Sequence, residues 1–405
     1  METSTPLIRL SSILDNDFYK FTMQCAVVSL FADVKAKYKF INRGEHHFPP
    51  GFGEALRKCV DAMSELRLQT EEKAYLFKTC PYLSPAYIDF LAGYKYHPKE
   101  VHIEQNGSSL EVTVEGYWFR TILWEVPLLS LISELFYITT GQKRIDNKEI
   151  ERRTEQKIRL FNQLGVTVAD FGTRRRHSFE VHQLIAATLK KYHGNSYIGT
   201  SNVHLARITG VKPIGTHAHE WFMFHGAYYG FKMAGGLGLE NWATVFQGDL
   251  GVALSDTYTT DIFFKQFNKK LSKLFDGVRH DSGDPVLFAE KTIAHYKNLG
   301  INPLHKFIIF SDGLNPEKVA HIAQSTKGRI GISFGIGTNL TNDVGLDPMN
   351  IVIKLSSIQV GEDLPIATIK LSDEKGKYTG DPAMIELAQK ILGIAPTQNS
   401  DEVGN

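Results

Sequence analysis

The ends of the apolar runs constrain this chain more than any other feature. Runs at Val166–Phe171, Tyr197–Ile198, Val211–Ile214, Val252–Leu254, Phe307–Phe310 and Ile330–Phe334, and a further one around Val278, nearly all stop in small and polar residues. The stops read Asp170-Phe-Gly-Thr, Gly199-Thr-Ser-Asn, Gly215-Thr-His-Ala-His, Ser255-Asp-Thr, His280-Asp-Ser-Gly-Asp, Ser311-Asp-Gly and Gly335-Ile-Gly-Thr. Between them lie helical patterns at Ser178–Tyr192, Glu220–Lys232, Pro285–Leu299 and Pro316–Gln324. Strand, helix, strand repetition implies parallel pairing through crossover helices. An open doubly wound sheet gathers polar strand ends at a switch point. A closed α/β barrel turns every strand end toward one pocket. Seven loaded ends therefore predict a barrel.

The first third has another rhythm. Asp17–Phe31 reads as a helix that Asp17 can cap. Val34–Ile41 alternates, with Val34, Ala36, Tyr38 and Phe40 on one face, and so reads as a strand. Asn106-Gly107 between two alternating runs predicts a hairpin. At roughly 150 residues per domain, the 405 residues suggest two to three domains. The expected division is an N-terminal α/β domain over 1–130, completed by part of 355–405, and an α/β barrel over 131–354. The polar tail after Pro396 is expected to fray.

Composition excludes several classes. Lys+Arg at 45 nearly cancels Asp+Glu at 44, with no long run of one sign, which argues against a nucleic-acid binder. Cys25, Cys59 and Cys80 make neither a disulfide framework nor a zinc site. Met1–Leu14 lacks the pattern of a signal peptide. Val126–Thr140 is interrupted by Ser130, Ser133 and Glu134 and is too short to span a bilayer. The expectation is a soluble, reduced, cytoplasmic protein without a membrane partner.

Several strand ends carry chemistry. Gly335-Ile-Gly-Thr suits an anion, because glycines let successive N–H groups approach it, although a tight turn fits equally well. Asp281 suits a sugar diol or hydrated magnesium, while Asp284, just before Pro285, suits a helix cap. His217 and His219 lack zinc spacing; a proton-transfer histidine would need an orienting carboxylate, for which Asp256 is available. Arg174-Arg-Arg suits carboxylate or phosphate recognition at a barrel mouth, or simply a solvated face.

The segments LDNDFYKFTMQ, FINRGEHHFPPGFGEALR, ADFGTRRRHSFEVH, GTSNVHLAR, PIGTHAHEW, LSDTYTTDIFF, VRHDSGDP, IFSDGL and SFGIGTNLTND run in order from about residue 14 to 343. Together they closely resemble the bacterial form of nicotinate phosphoribosyltransferase, a type II phosphoribosyltransferase. The resemblance implies an irregular, TIM-like α/β barrel packed on an N-terminal α/β domain, usually as a homodimer with shared sites. It implies transfer of phosphoribosyl from 5-phosphoribosyl-1-pyrophosphate to nicotinate, giving nicotinate mononucleotide and pyrophosphate. ATP hydrolysis is coupled through a phosphohistidine, with Mg2+ as cofactor.

Carried over by the same resemblance, His219 is the phosphorylated residue and Asp256 orients it. Arg279 and Asp281 lie near nicotinate and the ribose diol. Asp312-Gly313 with Gly335 and Gly337 forms the 5′-phosphate cradle. Phe171 and Tyr19 sandwich the pyridine ring, with Tyr19 expected from the other subunit. Arg174 faces the substrate, and Arg43 falls in a pyrophosphate-contacting stretch. His217, Arg175 and Arg176 receive no role, and the magnesium ligands stay open. The nicotinamide-using relatives carry an aspartate where Ser201 stands, so Ser201 argues for the acid substrate. A non-catalytic sugar-phosphate-binding barrel is a further alternative, and a quinolinate-using relative is a poorer one.

Overall fold

The computed structural model describes residues 7–374 and 377–394; the tail after Pro396 lies outside them. The described strands are β1 (Val34–Asn42), β2 (Val101–Asn106), β3 (Ser109–Tyr117), β4 (Thr167–Asp170), β5 (Tyr197–Thr200), β6 (Lys212–Pro213), β7 (Val252–Leu254), β8 (Gly277–His280), β9 (Phe307–Phe310), β10 (Gly331–Ile336), β11 (Ile351–Val360) and β12 (Ile366–Ala367). Seven of them form a parallel sheet in the order β6-β5-β4-β10-β9-β8-β7. This sheet curls into the expected irregular α/β barrel. Its edge strands share no backbone ladder. Side chains close the seam instead: the Leu254 N–H donates to Nε2 of His217 at 3.3 Å, and Thr216 Oγ1 reaches the Val252 carbonyl at 3.5 Å.

His217 thereby acquires a role. It is 1% exposed, lies edge-on to Phe222 and Trp242, and burial pushes its imidazole down to about 3, so Nε2 stays an acceptor.

The second sheet is antiparallel, in the order β12-β11-β1-β3-β2. Its centre pairs β1 with β11, from Val34↔Val360 to Asn42↔Ile351. The hairpin forms one residue later than the Asn-Gly reading, around Gly107 and Ser108, with Gly107 at φ 59°. Two other expectations need correction. The helix foreseen over 220–232 is two helices, His219–Tyr229 and Phe231–Phe246, which meet at Gly230 with φ 84°. The apolar helix runs over Glu125–Thr140, as its sequence suggested, but a short helix, Trp118–Thr121, precedes it across a turn. The joined stretch of 23 residues is long enough to span a bilayer, yet its most apolar window is 94% buried inside the protein. It is a core helix.

The helix Phe18–Leu30 stitches the two sheets together. The Phe18 N–H donates to the Ser201 carbonyl at 2.7 Å, and Arg176, fully buried, makes a bidentate pair with Asp15 at 2.7 Å on both oxygens. Asp15 also accepts from Asn202 Nδ2. The loop 171–176, the β5 end and the N-terminal segment are therefore one unit. Asp284 caps the helix Pro285–Asn298, accepting the Leu287 N–H at 2.7 Å. Asp17 does not cap its helix, because its carboxylate is turned toward the barrel mouth.

Candidate active site

The strand ends of the barrel and the edge of the antiparallel sheet enclose a cavity of about 980 Å³. Of the expected residues, Tyr19, Arg43, Phe171, Arg174, Ser201, His219, Arg279, Asp281, Asp312, Gly313, Gly335 and Gly337 line it. Asp256 lies behind His219, 3.6 Å from its Nε2.

His219 opens the helix His219–Tyr229 and is 8% exposed. Its Nδ1 meets Thr257 Oγ1 at 3.0 Å. Its Nε2 meets Asp281 Oδ2 at 3.0 Å and Lys370 Nζ at 3.1 Å. Thr257 holds the ring nitrogen opposite the one that Asp256 faces. Asp256 spends Oδ2 on Lys370 (3.0 Å) and on the Ser282 hydroxyl (2.7 Å), while its Oδ1 has no hydrogen-bond partner among the described residues. Burial, the largest influence, lowers the His219 pKa; Asp256 and Asp281 oppose it. Burial thus favours the neutral ring. Burial alone would raise Asp281, but Arg279 and His219 outweigh it and hold this carboxylate well below the usual range.

Tyr19 lines the cavity of its own chain, its helix fixed to its own β5 end by the Phe18–Ser201 backbone bond. The Arg174 guanidinium lies 5.9 Å from the centre of the Tyr19 ring, and that of Arg279 lies 5.8 Å from the centre of Phe171. Arg279 is held by Ser311 Oγ at 2.8 Å and by Asp281 at 3.0 Å. Gly335 abuts the Phe171 ring so closely that a Cβ there would lie 2.2 Å from Cε2. Its lack of a side chain clears space for the aromatic ring, a demand separate from cradling phosphate.

Ser201 also reads differently in three dimensions. Its hydroxyl donates to Asp17 Oδ1 at 2.6 Å, so a carboxylate does stand at this end of the cavity. Burial, the largest influence, holds Asp17 above the usual carboxylate range, with Arg174 pulling the other way. Serine at 201 therefore does not by itself keep this wall free of a carboxyl group.

Other lining residues were not legible. Lys354 on β11 faces the cavity, and burial pushes it down to about 8, with Glu125 opposing. Arg175 lines it too, lowered to about 10 by burial and by Arg174 and Arg43. Lys370 reaches His219 from a segment past β12 that carries no motif. Alternation in Ile351–Val360 was the one available signal for Lys354.

Comparison with known proteins agrees with this geometry. The nicotinate phosphoribosyltransferase family profile matches residues 166–394, and the profile of its N-terminal domain matches 14–133. A nicotinate phosphoribosyltransferase of Chromohalobacter salexigens is 57% identical, covering 95% of this chain and 99% of that one. One of Desulforapulum autotrophicum is 48% identical, with coverage of 95% and 99%. The crystal structure of nicotinate phosphoribosyltransferase from Porphyromonas gingivalis superposes with a TM-score of 0.93 at 46% identity, covering 96% of this chain and 100% of that one. The enzyme from Vibrio cholerae gives 0.89 at 33% identity, covering 97% and 95%. A barrel mouth lined by these residues, in a chain matched over nearly its whole length, belongs to the nicotinate phosphoribosyltransferase family.

Proposed function

We propose that the chain transfers phosphoribosyl from 5-phosphoribosyl-1-pyrophosphate to nicotinate, forming nicotinate mononucleotide and pyrophosphate in the cytoplasm, coupled to ATP hydrolysis through phosphorylation of His219. The observation that carries the reading is one cavity holding the Phe171 and Tyr19 rings, the Arg174 and Arg279 guanidiniums and His219, whose neutral form burial favours. The nicotinate nitrogen attacks the anomeric carbon as the bond to pyrophosphate breaks, through an oxocarbenium-like centre. The chain's part is to hold both reactants in line and to neutralise the leaving group. The rings hold the base, and the guanidiniums beside them attract its carboxylate. Arg43, Arg175 and Lys354 suit pyrophosphate, since all three line the cavity and none makes an ion pair within 4 Å among the described residues. Gly313 and Gly337 offer backbone to the 5′-phosphate.

In the energy-coupling half, a ring nitrogen of His219 attacks the γ-phosphorus of ATP, ADP departs, and water later cleaves the N–P bond. The unpartnered Asp256 Oδ1 and the neighbouring Asp281 are hard oxygen donors that fit magnesium. Bound there, magnesium would supply charge neutralisation for phosphate oxygens. Lys370 already places one positive charge at the same spot. A second reading, nicotinamide as substrate, is favoured by Asp17, whose carboxylate suits an amide N–H. Nucleotide formation from nicotinate and from nicotinamide, each with and without ATP, tests the proposal. Preference for nicotinamide, or rates indifferent to ATP, would refute it.

A further inference from the structure

A buried ion network runs along the cavity wall, which Asp17, Glu125, Arg174 and Glu220 help to line. Its centre is Lys20, one residue after Tyr19, whose side chain is 0% exposed. Nζ lies 2.6 Å from Glu125 Oε2 and 2.5 Å from Glu220 Oε2. Glu220 directly follows His219 in the first turn of its helix, and its other oxygen accepts from Trp118 Nε1 at 2.7 Å and from the Tyr38 hydroxyl. Glu125 in turn faces the Arg174 guanidinium at 3.5 Å, and Arg174 faces Asp17 at 3.8 Å. One buried cation thus fastens two carboxylates that serve opposite walls: the His219 helix and the arginine beside the Tyr19 ring.

Burying three ionised groups is costly unless each is paired, and a hydrophobic substitute of similar volume often serves stability as well. Stability is therefore a weak account of this network. Geometry gives a better one. Any shift of the His219 helix drags Glu220 and loads the Lys20 ammonium, which shares its charge with Glu125 and so with Arg174. A phosphoryl group on His219 adds about −1.5 to −2 charges within a residue of this network.

Building on the phosphohistidine reading above, we infer that Lys20 is a positioning residue that couples the His219 helix to the substrate-facing Arg174, so that ATP use and phosphoribosyl transfer proceed together. Lys20 itself does not line the cavity. Its effect passes through Glu220 on one side and Glu125 on the other.

The test uses the full chain with ATP, nicotinate and 5-phosphoribosyl-1-pyrophosphate, and reads ATP hydrolysed per nucleotide formed. Glu220→Gln cuts the link to the His219 helix and retains acceptors for Trp118 and Tyr38. Glu125→Gln cuts the link to Arg174. Each should raise that ratio by roughly threefold to thirtyfold, the span of residues that carry coupling. The double variant should do no worse than the more severe single one, because either cut opens the same chain. Tyr38→Phe, which removes one hydrogen bond and no charge, should raise the ratio less, and it stands in if a charge variant does not fold. Ratios equal to that of the native chain in folded variants, with both rates reduced in proportion, would overturn the inference and leave a merely structural network. A native chain that forms nucleotide without hydrolysing ATP would overturn the phosphohistidine reading instead, and the native control shows this before any variant is measured.

Discussion

Replacing Gly335 with alanine separates two roles that the glycine-rich strand end combines. The residue is the penultimate one of β10, pairs with Ala169 of β4 and faces the Phe171 ring. A Cβ would stand 2.2 Å from Phe171 Cε2, 2.3 Å from Cδ2 and 3.0 Å from Cγ. Three ring atoms at such distances cannot be accommodated by a small rotation, so the ring must leave its place. The neighbouring backbone offers little relief, since the Phe171 N–H donates to the Ile336 carbonyl at 2.8 Å. Overpacking of this kind costs about 1–3 kcal/mol. If that cost falls on the ring that receives nicotinate, it becomes a roughly 5- to 150-fold loss in kcat/KM for nicotinate, at about 1.4 kcal/mol per decade. The KM for 5-phosphoribosyl-1-pyrophosphate should move far less. Steady-state kinetics with each substrate varied in turn gives both numbers. A tenfold rise for the pyrophosphate substrate with an unaltered value for nicotinate would refute the reasoning and return Gly335 to the phosphate alone.

Asp15→Asn should cost roughly 3–5 kcal/mol, because it strands the fully buried Arg176; a urea midpoint unchanged from the native chain would contradict this. Tyr19→Ala and Asp281→Ala proteins, each nearly inactive alone, should recover no activity when mixed, since one chain supplies both residues to one cavity; recovery would mean that the site is shared between subunits. Glu134, on the core helix and accepting the Phe179 N–H, is pushed by burial up to about 7 from the ordinary 4.5, with Arg176 opposing. The folded chain there holds a proton that the unfolded chain has released, so this residue makes stability fall as pH rises from about 4.5 to about 7, by up to about 1.4 kcal/mol per pH unit. Comparing the pH dependence of the native and Glu134→Gln urea midpoints checks it, and identical slopes would refute it.

The barrel was legible because each strand writes the same signature: an apolar run, then a polar end. That signature is local, and so it located Phe171, Ser201, His219, Asp256, Arg279, Asp281 and Asp312 at the barrel mouth or directly behind it. What stayed hidden depends on contacts distant in sequence. Lys370 meets His219 across 151 positions, and Lys20 meets Glu220 across 200. Neither lysine has a neighbour in the chain that announces a partner. Asp17 looked like a helix cap because its spacing allowed one; only the approach of Ser201 shows why the carboxylate turns away. Asp256 read as an orienting acid because it followed a strand, and spacing cannot say which ring nitrogen a carboxylate will face. His217 and His219 are two residues apart and chemically alike. The fold separates them, one lodged in the barrel seam and one facing the cavity.

That separation bears on the central claim, energy coupling at His219. Incubating the native, His219→Asn and His217→Asn chains with γ-labelled ATP, then adding nicotinate and 5-phosphoribosyl-1-pyrophosphate, reads it directly. The native chain should carry acid-labile label and form nucleotide faster with ATP. His219→Asn should carry no label and retain only slow, ATP-independent transfer. His217→Asn, whose orphaned Leu254 N–H costs about 1–3 kcal/mol of stability, should still be labelled in its folded fraction. Label that persists in His219→Asn, or that vanishes only in His217→Asn, would contradict the account.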